Sequence, residues 1–177
     1  MELDSHAETC CTGANCMIVE YTGKTCNLVS YKKNNQNDEL TDVPIVEAAT
    51  AYNAPTVETY IHVLPQSLYL GNVIEYSLLC PNQMRHNGLI VDNVPRHLAP
   101  DPTTATHSIY MPEEGLRIPL EIQDVVSYFD TRTPTTQELE DCKRVLLTAD
   151  TEWDPHSEQF MMNERAFNAS RPSILKA

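Results

Sequence analysis

The stretch ELDSHA, residues 2–7, is the part of the chain from which the fold can be argued. An apolar residue, Leu3, leads into Asp4 and Ser5, and the small residue Ala7 comes after one further position. This order presents a carboxylate that can serve acid–base chemistry. Because Asp-Ser alone is common in proteins, the interpretation also needs support from residues further along the chain.

A second block lies downstream and consists of LYLG at residues 68–71 and SLLCPNQMR at residues 77–85, followed by Gly88. The two blocks together resemble the protease of copia-type retrotransposon polyproteins. That family has Leu-Asp-Ser-Gly-Ala at one end and Leu-Tyr-Val-Pro, then Asn-Leu-Ile-Ser-Val-Ser-Gln-Leu and a glycine, at the other. The first block is most similar to the variant that has Ser-His-Ala-Asp-Thr-Cys. The resemblance covers residues 2–95 as a protease-like core, and TRTPT at residues 131–135 looks like the segment downstream of it.

The resemblance implies a mostly β fold, a retropepsin-like acid-protease barrel with one short internal helix and a C-terminal helical extension. We therefore expect a β domain over residues 1–131, and a helix plus an extended tail over residues 132–177. The implied activity is that of an aspartic endopeptidase of the retrotransposon polyprotein type. Such an enzyme holds two carboxylates so close that both cannot ionise: one activates water as a base, and the other donates a proton to the amide.

The first block supplies one such acid, so the catalytic hypothesis requires a C2 homodimer in which Asp4 meets its own copy. By the resemblance, Asp4 is catalytic and Ser5 ties the two active-site loops together through hydroxyl hydrogen bonds. The usual glycine of the family is His6 here. Its imidazole can modulate the site in either of two ways, by hydrogen-bonding the carboxylate or by blocking it.

The turn Ala54-Pro55-Thr56 joins two apolar-rich runs, and by the resemblance it occupies the place of the flap that closes over substrate. A flap excludes water and hydrogen-bonds an extended peptide through its backbone. The expected partners are therefore a second copy of the chain and an extended peptide or polyprotein substrate. An ordinary surface hairpin is the alternative interpretation of the same turn.

Asp130 offers a second way to form the acid pair, since YFDT at residues 128–131 reads apolar-apolar-Asp-Thr. A single-chain, two-lobed protease would pair Asp130 with Asp4. Arg132 stands where such a motif has glycine. An exposed carboxylate just before a turn explains Asp130 as well.

A different class of function is also open, that of a catalytically inactive retropepsin-derived fragment acting as a binding or assembly module. His6, the short lead before Asp4 and the long tail at residues 163–177 favour it. The surroundings of Asp4 in the assembled protein separate the two hypotheses, because acid–base catalysis reaches across one water at most.

Charge and composition exclude several other classes of function. The formal net charge of −13 and the pI near 4.7 oppose direct binding to nucleic acid or to an anionic membrane. No apolar run approaches the roughly 18 to 20 residues needed to span a bilayer, and the N-terminus has no signal-peptide pattern. We therefore expect a soluble, intracellular, cytoplasmic protein. No phosphate-binding loop or dinucleotide fingerprint occurs, so no cofactor is expected.

Four cysteines, Cys10, Cys11, Cys16 and Cys26, crowd the start of the chain close to His6. On paper these residues provide enough ligands for a zinc ion. Their spacing lacks the paired C-x2-C signature of structural zinc sites. Buried or free thiols are the usual fate of cysteine in an intracellular chain, and no metal is expected.

Local patterns predict the order of the strands. Apolar-rich runs at 16–21 and 25–31, separated by Thr22-Gly23-Lys24, predict a first hairpin, and runs at 43–52 and 57–64 predict a second. A loop is expected at 32–42. Further strands are expected at residues 67–72, 89–91, 107–111, 116–122 and 125–129.

Terminal signals predict two helices. The first runs over 81–87, with Pro81 at its first position and Gly88 as its stop. The second begins at a capping box formed by Thr135 and Glu138 and runs to about residue 147. Four apolar side chains are expected on its inner face: Leu139, Cys142, Val145 and Leu146. The tail at 163–177 is expected to be extended, docked on a partner or disordered.

Overall fold

The computed structural model of the protein describes residues 1–29 and 39–171. It confirms that the chain is mostly β, with 43% of its residues in strands against 17% in helices. The strands of the first half are β1 (Glu2–Leu3), β2 (Cys11–Gly13), β3 (Met17–Val29), β4 (Glu39–Asn53), β5 (Thr59–Gly71) and β6 (Leu78–Leu79). Those of the second half are β7 (Ile90–Asp92), β8 (Ser108–Met111), β9 (Leu116–Pro119), β10 (Glu121–Gln123), β11 (Val126–Tyr128) and β12 (Lys143–Leu146). The helices are α1 (Pro81–His86), α2 (Thr136–Asp141) and α3 (Glu158–Ser170), with a short 3-10 helix at Arg96–Leu98.

The strands form one large and one small sheet. The large sheet has nine strands in the order β10-β11-β1-β6-β2-β5-β4-β3, with β12 added alongside β5. The small sheet has the order β7-β8-β9. The outer strands β10 and β3 are not paired with each other, so over the described residues the large sheet stays open and the expected closed barrel does not form.

Strand β5 is the centre of the large sheet. It pairs with β4 along one edge, and on its other edge it pairs first with β12 and then with β2. Its side chains are buried on both faces, which is why it reads as an apolar run rather than as an alternation. Ile61 and Val63 pack under α2 on one face, and Leu64 joins the larger core on the other.

The first predicted hairpin is wrong, because β3 runs without a turn from Met17 to Val29 beside β4. The pairing slips between Tyr21 and Thr25, where Gly23 has a φ of 78°. Glycine adopts this left-handed conformation without steric cost, so the segment read as a turn is a bulge that keeps the strand continuous. Of the loop predicted at 32–42, residues 39–42 belong to β4 and the others lie outside the described residues.

The predicted second hairpin and first helix are confirmed. Strands β4 and β5 are antiparallel around a turn that contains Ala54-Pro55-Thr56. Helix α1 begins with Pro81 at its first turn, and Gly88 follows it with a φ of 82°. These features come from neighbouring residues, so local sequence is sufficient to predict them.

The second predicted helix is correct at its start and wrong at its end. The Thr135–Glu138 capping box is present, but α2 stops at Asp141, and β12 follows directly. Strand β12 is parallel to β5 and places Val145 in the core, where it is 1% exposed, while Leu146 is 44% exposed. Pairing of this segment with the open edge of β5 is therefore more favourable than the helix that its apolar spacing predicts. Strand β12 belongs to the large sheet. The chain after residue 131, which was expected to form a helix and a tail outside the β domain, therefore contributes a strand to it.

The tail prediction is also wrong over residues 163–170, which lie in α3. Ser157 caps this helix, since its hydroxyl oxygen accepts a hydrogen bond from the amide of Phe160 at 3.2 Å. None of the residues of α3 is buried. Residues 172–177 lie outside the described part of the chain. None of the helices within the described ranges has the length and apolar character required to cross a bilayer.

We expect Val145→Ala to destabilise the protein by about 2 kcal/mol, because it removes two buried methyl groups and leaves a cavity. The matched change Leu146→Ala is expected to cost less than about 0.5 kcal/mol, because that side chain faces solvent. Urea unfolding of both variants measures the difference. Similar costs at the two positions would contradict the strand and restore the helix, in which both side chains would face inward.

Candidate functional site

The candidate site is the loop formed by residues 4–9, which we call the Asp4 loop. Strands β1 and β6 run parallel, with Glu2 opposite Leu78 and Leu3 opposite Leu79. The amide of Asp4 donates to the carbonyl of Leu79 at 3.0 Å, and there the chain leaves the sheet. Leu3 is buried, whereas the Asp4 side chain is 39% exposed. The apolar-Asp pattern thus marks the step from the core to the loop.

The backbone of the loop holds the Asp4 carboxylate in place. Its Oδ1 atom accepts a hydrogen bond from the amide of His6 at 2.9 Å, and the Asp4 carbonyl accepts one from the amide of Ala7 at 3.2 Å. The first is the bond of an Asx turn, in which a short acidic side chain substitutes for a backbone carbonyl. The carboxylate is therefore oriented before any partner arrives, and Oδ2 is left for other contacts.

His6 and Ser5 both lie on the outer side of the loop. The His6 side chain is 95% exposed, and its Nδ1 atom is 3.9 Å from Oδ1 of Asp4, too far for a hydrogen bond. The contact between His6 and the carboxylate is made by the backbone amide instead. Ser5 is exposed, and its hydroxyl makes no hydrogen bond within residues 1–29 and 39–171. Both side chains are free to meet another molecule.

Gln83 of α1 braces the far end of the loop. Its Oε1 atom accepts from the amide of Cys10 at 2.8 Å, and its Nε2 atom donates to the carbonyl of Gln66 at 3.0 Å. Gln83 is 2% exposed. One buried side chain thus joins the loop, α1 and β5. Sequence analysis missed this role, since a glutamine inside a helix has no local signal for it.

The thiols beneath the loop are protonated. Burial raises the pKa of Cys10 far above its ordinary value, and the amide of Cys80 donates to the Cys10 sulfur at 3.1 Å. Burial, with smaller contributions from Cys26 and Asp4, raises the pKa of Cys11 to about 11. A thiol acts as nucleophile or metal ligand only as its thiolate, so these groups are inert at neutral pH. The described residues also contain no cluster of three or more side chains suited to a metal ion.

Asp130 does not pair with Asp4 in one chain, so the two-lobed hypothesis is wrong. Strands β1 and β11 are antiparallel with Glu2 opposite Tyr128. If this register continued to Asp4, that residue would lie opposite Val126. Val126 is four residues from Asp130, which corresponds to about 13 Å along a strand. Asp130 instead lines a cavity of about 170 Å³ beside Arg132.

The turn Ala54-Pro55-Thr56 is remote from the Asp4 loop along the sheet. The Cys10 carbonyl accepts a hydrogen bond from the amide of Leu68, so the end of the Asp4 loop lies beside Leu68 of β5. Strand β5 begins after the turn at Thr59, nine residues before Leu68. That separation corresponds to about 30 Å of strand. The structure does not bring the turn to Asp4, and its role as a flap stays a prediction.

The C-terminal segment makes contacts with the Asp4 loop that the sequence did not reveal. The indole Nε1 of Trp153 donates to the Glu8 carbonyl at 2.8 Å, and Nε2 of His156 lies 2.9 Å from Oε2 of Glu8. The Trp153 ring also packs against His86 of α1, with ring centroids 5.2 Å apart. Nearly 150 residues separate these partners, and the only local signal was that Trp153 is the single tryptophan of the chain.

His62 is a fully buried histidine of β5. Its ring stacks on Tyr52 at 4.9 Å and meets the edge of Phe129 at 5.9 Å, and neither ring nitrogen has a hydrogen-bond partner among the described residues. Burial lowers the pKa of His62 from 6.5 to about 3. The imidazole is therefore neutral in the folded protein at all but strongly acidic pH.

Comparisons with protein-family models, with curated proteins and with solved structures find no match to this chain. We therefore infer its function from the Asp4 loop and from the residues around it.

We expect His62 to make the protein sensitive to acid. Because its pKa is about 3 in the fold and 6.5 when unfolded, only the unfolded chain takes up a proton as pH falls below 6.5. Stability is lost from there down to the folded pKa, and the loss reaches about 2 kcal/mol at pH 5. Urea unfolding of His62→Leu at pH 7 and pH 5 should show a pH-dependent loss smaller by about this amount.

His97 provides the control for this measurement, since it is exposed in the short 3-10 helix. His97→Gln is expected to retain the loss of stability caused by His62, because it leaves that side chain in place. If the free energy of unfolding falls by the same amount between pH 7 and pH 5 in wild type and in His62→Leu, then His62 is not the group responsible.

Proposed function

We propose that the chain is a retropepsin-like aspartic endopeptidase that acts as a homodimer. The observation that carries the proposal is the Asp4 carboxylate, which is 39% exposed on a loop fixed to β6 and α1 by backbone and Gln83 hydrogen bonds. Asp130 of the same chain lies beyond the end of β11 that is remote from Asp4, too far to share its proton. A second copy of Asp4 across a two-fold axis is the partner that satisfies the chemistry.

In the dimer, one Asp4 carboxylate takes a proton from a water molecule as the water oxygen attacks the peptide carbonyl carbon. The other Asp4, protonated, donates its proton to the amide as the carbon–nitrogen bond breaks. The two acids titrate as a pair that holds one proton, so the roles belong to the pair rather than to either chain. Oδ1 of each Asp4 is occupied by the His6 amide, which leaves Oδ2 to face the water and the twin.

The remaining parts of the site fit this proposal. The Ser5 hydroxyl is exposed beside Asp4 and can hydrogen-bond the opposite loop. The protonated thiols below the loop offer no competing nucleophile. Strand β3 is an outer strand of the large sheet and its residues are mostly exposed, and an extended peptide can pair with such an edge. The substrate class is therefore an unstructured peptide segment, as in a polyprotein.

His6 favours a second candidate function, that of a non-catalytic binding or assembly module. Its side chain is 95% exposed, and its Nδ1 atom lies 3.9 Å from the carboxylate that a twin loop would have to reach. Glycine would leave that space open. If the imidazole keeps the two loops apart, the same exposed loop remains a surface for binding another protein without hydrolysis.

The proposal predicts cleavage of an unstructured peptide at mildly acidic pH, and loss of at least about a hundredfold in activity for Asp4→Asn, because general acid–base catalysis is removed. Asp130→Asn is the matched control and is expected to retain activity. Initial rates with a fluorogenic peptide measure both variants. Equal activity of wild type and Asp4→Asn would reject Asp4 as the catalytic acid.

The proposal also predicts that the protein is a dimer under the conditions in which it cleaves peptide. Sedimentation velocity across a concentration series is expected to show a dimer, and specific activity should rise with enzyme concentration below the dissociation constant. A strict monomer with full activity would contradict the shared acid pair, and a strict monomer without activity would favour the binding module.

A further inference from the structure

A segment near the C-terminus crosses the surface beside the candidate site. We call residues 152–160 the C-terminal strap. At its start, the Glu152 carboxylate lies 2.7 Å from Nζ of Lys24 on β3. At its end, the Phe160 ring meets the edge of the Trp153 ring at 5.9 Å. Between these points the strap makes its two contacts with Glu8.

We infer that Trp153 and His156 are positioning residues of the Asp4 loop: they hold Glu8, and through it they keep the Asp4 carboxylate in its oriented turn. The inference rests on the proposed function for its catalytic consequence. Neither side chain touches the reacting atoms, so neither is a catalytic residue.

The location of Glu8 makes this coupling direct. Glu8 lies four residues after Asp4 in the same loop, and the next fixed point is the amide of Cys10, held by Gln83. Among the described residues, Glu8 makes two contacts outside the loop: its carbonyl accepts from Trp153 and its carboxylate meets His156. The Thr9 carbonyl accepts only from the nearby Cys11 thiol, at 3.5 Å. Without the strap, Glu8 would lose both of these contacts.

The strap is not explained by the packing of α3. None of the residues of that helix is buried, and its apolar side chains Met161, Met162 and Phe167 remain exposed. The Trp153 ring is the part of the segment that packs, against His86 at the end of α1 and against Phe160. Its indole N–H then points at the Glu8 carbonyl rather than at solvent. The contacts of the segment are concentrated on the loop and its neighbours.

The Trp153 bond is the stronger of the two contacts with Glu8. The side chains of His156 and Glu8 are 74% and 65% exposed, so water competes with the contact between them. The Trp153 side chain is partly buried, and its hydrogen bond goes to a backbone carbonyl. We therefore expect Trp153 to be the main positioning residue and His156 to make a smaller contribution.

Amide hydrogen exchange followed by NMR tests the inference without reference to activity. The reporters are the amides of His6 and Ala7, which are bonded to Asp4 within the loop. Trp153→Phe keeps an aromatic ring and removes the N–H donor, and it should speed exchange at both reporters about fivefold, the effect of one ordinary hydrogen bond. Amides of β4 and β5 should be unaffected. Phe167→Ala, an exposed aromatic on α3, is the matched control and should leave the reporters unchanged.

Two exchange results would overturn the inference: unchanged reporters in Trp153→Phe, or an equal increase throughout the protein, which would indicate a general loss of stability. Trp153→Phe preserves most of the packing, so it is expected to fold. The test therefore needs no variant that removes the whole ring, such as Trp153→Ala.

Activity then separates this inference from the proposed function. In an enzyme whose cleavage depends on Asp4, Trp153→Phe should lower kcat about fivefold with KM changed less than about twofold. Unchanged kcat with faster loop exchange would overturn the positioning role. If wild type cleaves no peptide, the proposed function fails, while the exchange result still decides whether the strap holds the loop.

Discussion

The hydrogen bond from the Asp4 amide to the Leu79 carbonyl fixes the point at which the chain leaves the sheet, and the candidate site depends on it. A slip of one residue between β1 and β6 would exchange the positions of Leu3 and Asp4, because side chains alternate between the faces of a strand. It would bury an unpaired carboxylate and expose a leucine, and the cost of the buried charge opposes it. The same two strands also locate α1, which begins at Pro81 directly after β6 and carries Gln83 to the end of the loop.

Features set by neighbouring residues could be predicted from the sequence. Pro81 and Gly88 bound α1, Thr135 and Glu138 form a capping box, and the hairpin around Pro55 forms where expected. In each case the deciding interaction lies within a few residues of the signal. The exposed acid at Asp4 belongs to this group too, since the change from Leu3 to Asp4 marks where burial ends.

Features set by distant partners could not be predicted. Val145 has an apolar spacing that suits a helix, and it lies in a strand because β5 has an open edge for β12. Gly23 suits a turn, and it forms a bulge because β4 continues to pair beyond it. Gln83, Trp153 and Glu8 come together across much of the chain. A single sequence contains the residues for these contacts but no local pattern that joins them.

In the proposed dimer, the Asp4 loop and His62 would place opposite demands on pH. A pair of acids that shares one proton works only where that proton is retained, which favours mildly acidic conditions for hydrolysis. His62 is neutral between Tyr52 and Phe129 and has no hydrogen-bond partner among the described residues. A fall in pH therefore favours the unfolded chain, in which this histidine can take up a proton. The Phe129 ring lies 5.9 Å from that of His62, and the Phe129 amide donates to the carbonyl of Met1, three residues before Asp4. The lower limit of the working pH range of the proposed enzyme would then be set by the stability of the fold, while the upper limit would be set by the acid pair itself.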